Sequence, residues 1–201
     1  ARRVDILLGR YGILAREFCR REEVAQWSAI IGELQRREMR GEIRRGYFVQ
    51  GLSGMQFALP GAVEHVRRVR IEKASGSVLL LNACDPMNPY ENGVDLPFPG
   101  TRNVRTPSTY CVFAGGVPVL LAELNGERLF TAPDAGPEVM LAAVRSLMEL
   151  TRRPAPVRPF RQIHVRSCNG TMPTADPIAA LLSQLGFVRD AGQTFRYEGY
   201  L

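Results

Sequence analysis

A chain of 201 residues, 45% hydrophobic and 23% charged, is long enough to bury one large or two small cores, and none of its apolar runs approaches the roughly 18 residues of a membrane-spanning helix. Its net charge of +6 is unevenly placed: residues 1–70 carry 14 Arg against 8 acids, whereas residues 71–201 balance 12 basic side chains with 12 acidic ones. The composition excludes a membrane span and points to a polyanionic partner for the first third of the chain.

The first third predicts helices and a hairpin. Val4, Ile6, Leu7 and Leu8 make a short amphipathic helix closing between Gly9 and Gly12, and a second helix runs from Ala15 to Arg21. From Ala25 to Arg40, the residues Trp27, Ile30, Ile31 and Leu34 form a stripe at helical spacing, opposite Glu33, Gln35, Arg36, Arg37 and Glu38, with Gly41 as the expected C-terminal cap. Trp27 lies on that stripe and is expected in the core. Between Arg44 and Pro60, two apolar-alternating runs flank Gly51-Leu52-Ser53-Gly54, which predicts a β-hairpin with arginines at its base. Three helices followed by a hairpin is the order of a winged helix-turn-helix, in which the third helix and the hairpin meet nucleic acid. A helix over Ala62 to Arg70 closes this module, expected to span residues 1–70.

Residues 71–201 predict an α+β accessory domain. Ser77 to Ala83 is expected as a buried strand, and 85–107 as a Pro/Gly/Asn-rich connection in which Asp85 turns the chain. Strands follow at Tyr110 to Ala114, Pro118 to Leu124 and Arg128 to Thr131, the last two joined at Asn125-Gly126, a strong hairpin signal. The remainder reads as a helix over Pro137 to Arg153, a strand over Arg161 to Val165, a helix over Pro177 to Leu185 and a last strand or hairpin around Phe187 to Tyr197. A meander with two helices is expected as a mixed β-sheet or a partly rolled β-barrel.

Catalysis finds little support in the motifs. With Lys73 as the only lysine, no phosphate-binding G-x-x-x-x-G-K-[ST] loop is possible, and G-x-S-x-G and H-E-x-x-H are absent. His65 reads as a surface residue. His164 and Cys168 lack two further ligands at sensible spacing for zinc, so no catalytic residue or metal ligand is nominated. Cys19, Cys84, Cys111 and Cys168 are scattered without a C-x-x-C, and the N-terminus shows no signal-peptide pattern. Reduced packing thiols and a cytoplasmic location are expected. Nucleic-acid binding has more behind it: Arg36, Arg37 and Arg40 on the third helix and Arg44, Arg45, Tyr47 and Gln56 on the hairpin supply phosphate, stacking and polar contacts. The plainer expectation is that the helical arginines pair with Glu33, Glu38 and Glu42 one turn away.

Three stretches carry a family likeness: Arg10-Tyr11-Gly12-Ile13-Leu14-Ala15-Arg16-Glu17, the run from Arg44 to Val63, and Asp85-Pro86-Met87-Asn88-Pro89-Tyr90. They resemble the large helicase-related (Lhr) family of superfamily 2, DEAD/DEAH-box helicases. The resemblance implies a piece of a longer ATP-dependent 3′-to-5′ helicase, lying after its two motor domains and first winged helix and helping to form the channel for the tracked strand. It implies single-stranded DNA or an RNA:DNA hybrid and the upstream motor domains as partners, and no membrane. ATP and Mg would belong to the parent protein, with no cofactor in this chain. A more distant likeness to the winged-helix and barrel arrangement of bacterial glycosylases that unhook crosslinked DNA concerns architecture, because fold does not carry activity. Two rival expectations stand beside the strand clamp: a bracing module for the motor, and a stand-alone winged-helix DNA-binding regulator acting as a dimer.

Overall fold

A computed structural model describes residues 1–21, 26–71, 77–86, 88, 90, 96–99, 101, 105–190 and 192–199. Ala25, the expected start of the third helix, and much of the expected 85–107 connection lie outside the described residues. The chain falls into two compact units, one built on the first 71 residues and the other on residues 77–88 and 96 onward.

The first unit has α1 (Arg2–Tyr11), β1 (Ile13–Leu14), α2 (Arg16–Arg21), α3 (Trp27–Met39), β2 (Arg44–Gly46), β3 (Gln56–Ala58) and α4 (Pro60–Ile71). Its sheet has the antiparallel order β1-β3-β2, so β3 is central. Residues opposite one another in a ladder share a face. Leu14, Phe57 and Arg45 therefore lie on one side, and Ile13, Ala58 and Arg44 on the other. On the first side, Leu14 and Phe57 pack with Val4, Leu7, Leu8, Ile30 and Leu34. On the second, Ile13 and Ala58 pack with Val63. Trp27 is half-buried against the first cluster, with its ring centroid 6.1 Å from that of Phe57.

The third helix stops as expected. Gly41 takes φ 75°, its N–H donates to Glu38 O, and the Glu42 N–H reaches back to Arg37 O. These are the paired bonds of a Schellman cap, which needs a left-handed residue at that position.

The expected hairpin differs in its length. β2 and β3 hold only three residues each, and 47–55 is a loop. Its cause is Gln56, whose side chain replaces a strand as hydrogen-bond partner: Oε1 accepts from the N–H groups of Phe48 and Val49, both at 2.8 Å, and Nε2 donates to Val49 O at 2.9 Å. Phe48 folds back over Gly46, where an added Cβ would stand 2.9 Å from its ring.

The second unit comprises β4 (Val78–Asn82), β5 (Tyr110–Ala114), β6 (Val117–Glu123), β7 (Arg128–Thr131), α5 (Pro137–Met148), β8 (Gln162–Val165), β9 (Ser167–Cys168), α6 (Ile178–Gln184), β10 (Val188–Arg189) and β11 (Phe195–Glu198). A mixed five-stranded sheet runs β4-β5-β6-β7-β9, with β9 parallel to β7, and a three-stranded sheet runs β10-β11-β8. The larger sheet is open, with β4 and β9 at its edges among the described residues. The core joins Val112, Leu120 and Leu129 of that sheet to Val144 and Leu147 of α5, Leu182 of α6, and Ile163 and Phe195 of the smaller sheet. β4 corrects an expectation: the apolar run reads as buried but forms an edge, with Leu79 57% exposed. In the turn after β4, the backbone is held by Asn82, whose Oδ1 accepts from the Cys84 N–H at 2.8 Å.

The cysteines are free thiols. Burial pushes Cys111 and Cys168 up to about 12, whereas Cys84 is half-exposed. Only about one thiol in ten thousand would be thiolate at pH 8 for such a buried group. Iodoacetamide is expected to label Cys84 in the native chain and to leave Cys111 and Cys168 unmodified until denaturant is added, as peptide mass mapping would show.

Candidate nucleic-acid interface

The outward face of α3 carries Ser28, Gly32, Gln35, Arg36 and Met39, which recur at helical spacing opposite Ile30 and Leu34. Met39 is 80% exposed. The arginines of this helix are tied to acids. Arg36 reaches Glu33 Oε2 through Nε at 3.1 Å and Nη2 at 2.9 Å, and Arg40 Nε lies 2.7 Å from Glu42. Arg37 is the structural one: only 13% of its side chain is exposed, and it donates to Asp5 at 2.6 Å and to Glu33 at 3.1 Å. It thereby fastens α1 to α3 and has little of itself left for a ligand.

The same bonds set a pH dependence. Hydrogen bonds from Arg37 hold the carboxyls of Asp5 and Glu33 below their ordinary values of 3.8 and 4.5, and bonding to Asp5 raises Arg37 in turn. Carboxylates depressed on folding add stability above their unfolded values and lose it as pH falls through the folded ones. Fluorescence of Trp27 is therefore expected to report loosening of the first unit only in acid, below those ordinary values. Arg37→Gln should flatten that acid limb.

At the wing, strand alternation separates the two arginines expected to act together. Arg45 shares the face of Phe57, with Nε 3.0 Å from Glu38 and Nη1 3.7 Å from the Met55 sulfur. Arg44 stands on the other face, exposed and without an ion pair among the described residues. Three residues on, Tyr47 is 82% exposed. Gln56 corrects the expected contact set: it is fully buried and its amide is engaged within the loop, so it shapes the wing and does not face a ligand.

Sequence reasoning misses a second anchor. Glu17, buried on α2, accepts from the Ser53 N–H at 2.8 Å and from the Ser53 hydroxyl through a shorter bond. The loop is thus held at both ends, by Gln56 at residues 48–49 and by Glu17 at Ser53. The signal for this pairing is absent from any local window, because the partners are 36 residues apart. Arg2, Arg3, Arg16 and Arg68 also escape motif reading; each is exposed and has no ion pair among the described residues. Basic side chains without acidic partners are the ones that can exchange counterions for phosphates at least cost.

His65 is exposed on α4, and His164 shares a 3.0 Å hydrogen bond with Thr194. Among the described residues no group of three or more His, Cys, Asp and Glu side chains could hold a metal ion, and no helix is long and apolar enough to cross a membrane.

Comparison with known proteins agrees with this geometry. The family model described as "Large helicase-related protein, winged-helix domain" matches residues 1–78. A curated protein named "Lhr helicase/ probable uracil glycosylase", from Mycolicibacterium smegmatis, is 33% identical over 108 residues. That similarity covers 51% of this chain and 7% of the relative, so the chain spans a small part of that protein's length.

Proposed function

We propose, on the premise that residues 1–78 are a winged-helix domain of the large helicase-related proteins and the chain is distantly similar to an Lhr helicase, that its first unit holds a nucleic-acid strand through the wing. The observation that carries this reading is the pinned loop presenting Tyr47 at 82% exposure, three residues after Arg44, which has no ion pair among the described residues. An aromatic face on a rigid support stacks on a base of any kind, and a free guanidinium neutralises a phosphate. The charge asymmetry supports the same unit, since all the excess of positive charge lies in the first 70 residues. Of the seven residues expected at the interface, Arg44 and Tyr47 are the contacts we favour. Arg36, Arg40 and Arg45 contribute once freed from their exposed acid pairs, which are individually weak. Arg37 and Gln56 support.

In the whole protein, this unit steadies a single DNA strand or an RNA:DNA hybrid for upstream motor domains that bind ATP and Mg and move 3′ to 5′, in the cytoplasm. Binding is independent of sequence and falls steeply with salt. A second reading draws on Val49 and Met55, 38% and 39% exposed beside Tyr47: the wing braces a protein neighbour. Fluorescence anisotropy with a labelled thymidylate oligonucleotide separates the two. Tyr47→Ala combined with Arg44→Glu should weaken binding by about tenfold or more, since stacking alone contributes about 1–3 kcal/mol per base. Unchanged affinity in a folded variant would leave the brace.

A further inference from the structure

We infer that the second unit carries a phosphodiester-binding cleft of its own, formed where the end of α5 meets β11. This rests on the strand-holding reading above, because a nucleic-acid backbone supplies the phosphodiester. The cleft has a volume of about 360 Å³ and is lined by Arg152, Gly186, Val188, Arg196, Tyr197 and Glu198. That volume is in the range of small-ligand sites.

Its donors come from two elements. A 3-10 turn, Glu149–Arg152, continues α5 and delivers Arg152 to the cleft. The Arg152 guanidinium donates to the Tyr197 hydroxyl from Nε at 3.1 Å and from Nη2 at 2.7 Å. Tyr197 is only 8% exposed and its ring lies 5.1 Å from that of Phe187, so the phenol is fixed in place. Because the hydroxyl oxygen accepts from Arg152, its own proton must be donated elsewhere, and no described residue takes it. Arg196, on the same strand, also lines the cleft with half its side chain exposed, although strand alternation sets it on the opposite face of β11 from the Tyr197 ring. The remaining N–H groups of Arg152 and the tyrosine O–H, with the Arg196 guanidinium elsewhere on the lining, are donors of the kind that take phosphate oxygens.

The backbone beneath is locked as well. Gly199 passes so close to Thr151 that an added Cβ would lie 2.2 Å from Oγ1, and Thr151 is fully buried with its hydroxyl bonded to Met148 O at 2.7 Å. The turn that carries Arg152 and the strand that carries Tyr197 are thus pressed together without room for a side chain.

Both arginines have acidic neighbours, Arg152 with Glu149 at 3.3 Å and Arg196 with Glu198 at 3.5 Å. Such exposed pairs contribute little, so a phosphate oxygen can replace either carboxylate. Glu198, on the cleft wall, opposes a dianion more than a singly charged phosphodiester. The occupant is therefore a strand backbone and not free phosphate.

The test is anisotropy of a labelled thymidylate dodecamer with the whole chain across a salt series. Arg152→Gln, Arg196→Gln and Tyr197→Phe should each weaken binding about three- to tenfold. The two arginine variants should each lower the slope of log K against log salt by about 0.7, the value for one phosphate contact on a single strand. Tyr197→Phe keeps the ring and its packing, so it guards against a folding defect, which a thermal melt checks. Unchanged affinity and slope in all three would overturn the cleft while leaving the wing reading intact if Tyr47→Ala still weakens binding. Loss in the cleft variants with none at Tyr47 would strike the wing alone. At matched ionic strength, inorganic phosphate should displace the dodecamer no better than chloride does. Displacement that depends on Tyr197 would overturn the phosphodiester assignment in favour of a free-phosphate site.

Discussion

Replacing Gln56 with alanine is expected to destabilise the first unit by about 2–4 kcal/mol, read as an earlier urea transition in Trp27 fluorescence. The side chain is fully buried and satisfies three backbone groups of the wing at once, two N–H donors and one carbonyl. Each buried polar group left unmatched costs roughly 1–3 kcal/mol, and water entering the half-exposed loop returns part of that. Gln56→Glu is the sharper control: a carboxylate still accepts from Phe48 and Val49 but has nothing to donate to Val49 O. Strand affinity should fall with Gln56→Ala although the residue touches no ligand, because the loop that aims Tyr47 is no longer held. Tyr47→Ala should show the opposite pairing, a loss of affinity with stability unchanged. A Gln56→Ala chain as stable as the parent would contradict this account of the wing.

Gly126→Ala is expected to cost the second unit about 3 kcal/mol or more in a urea transition followed by far-UV circular dichroism. Two penalties coincide there. The backbone sits at φ 95°, where an L side chain is strained, and the new Cβ would stand 2.7 Å from Cγ2 of Ile163, itself fully buried. Relief would require moving a core side chain or the turn, and overpacking of that kind typically costs 1–3 kcal/mol in addition to the conformational term. Gly116→Ala, in the neighbouring hairpin at φ 81° with open space around the new Cβ, carries only the conformational term and should be milder. Equal effects at the two sites would show that the contact with Ile163 is unimportant.

The helices and the longer strands are legible in the sequence because their apolar spacing is dictated by what they bury. Ile30 and Leu34 on α3, and Val144 and Leu147 on α5, mark a helix face by their spacing alone. Elements of two residues escape such patterns: β1 and β9 are too short for alternation to register, yet β1 pairs with the central strand of the wing sheet and β9 adds the parallel edge of the larger one. The extent of the wing is illegible for a related reason. Phe48 and Val49 look like strand residues by composition, but a buried glutamine side chain outcompetes a second strand for their amides.

The candidate site shows the same division. Arginine counts locate the charged unit correctly, but they cannot tell Arg37, consumed by Asp5 and Glu33, from Arg44, which has no ion pair among the described residues. Spacing alone foretells the Arg36–Glu33 pair, since the two are a turn apart. The Arg37–Asp5 and Glu17–Ser53 bonds span 32 and 36 residues and follow from tertiary packing, which no local window contains. On the second unit, the meeting of Arg152 with Tyr197 is equally non-local, at a sequence separation of 45.

The claim that the wing holds a strand is tested most directly by photocrosslinking the chain to a thymidylate oligonucleotide in which bromodeoxyuridine replaces one base. Trypsin releases the wing within a single peptide, Gly46 to Arg67. The account predicts a nucleotide adduct in that peptide, at Tyr47, which fades as salt is raised. Efficient crosslinking with no adduct between Gly46 and Arg67 would contradict it.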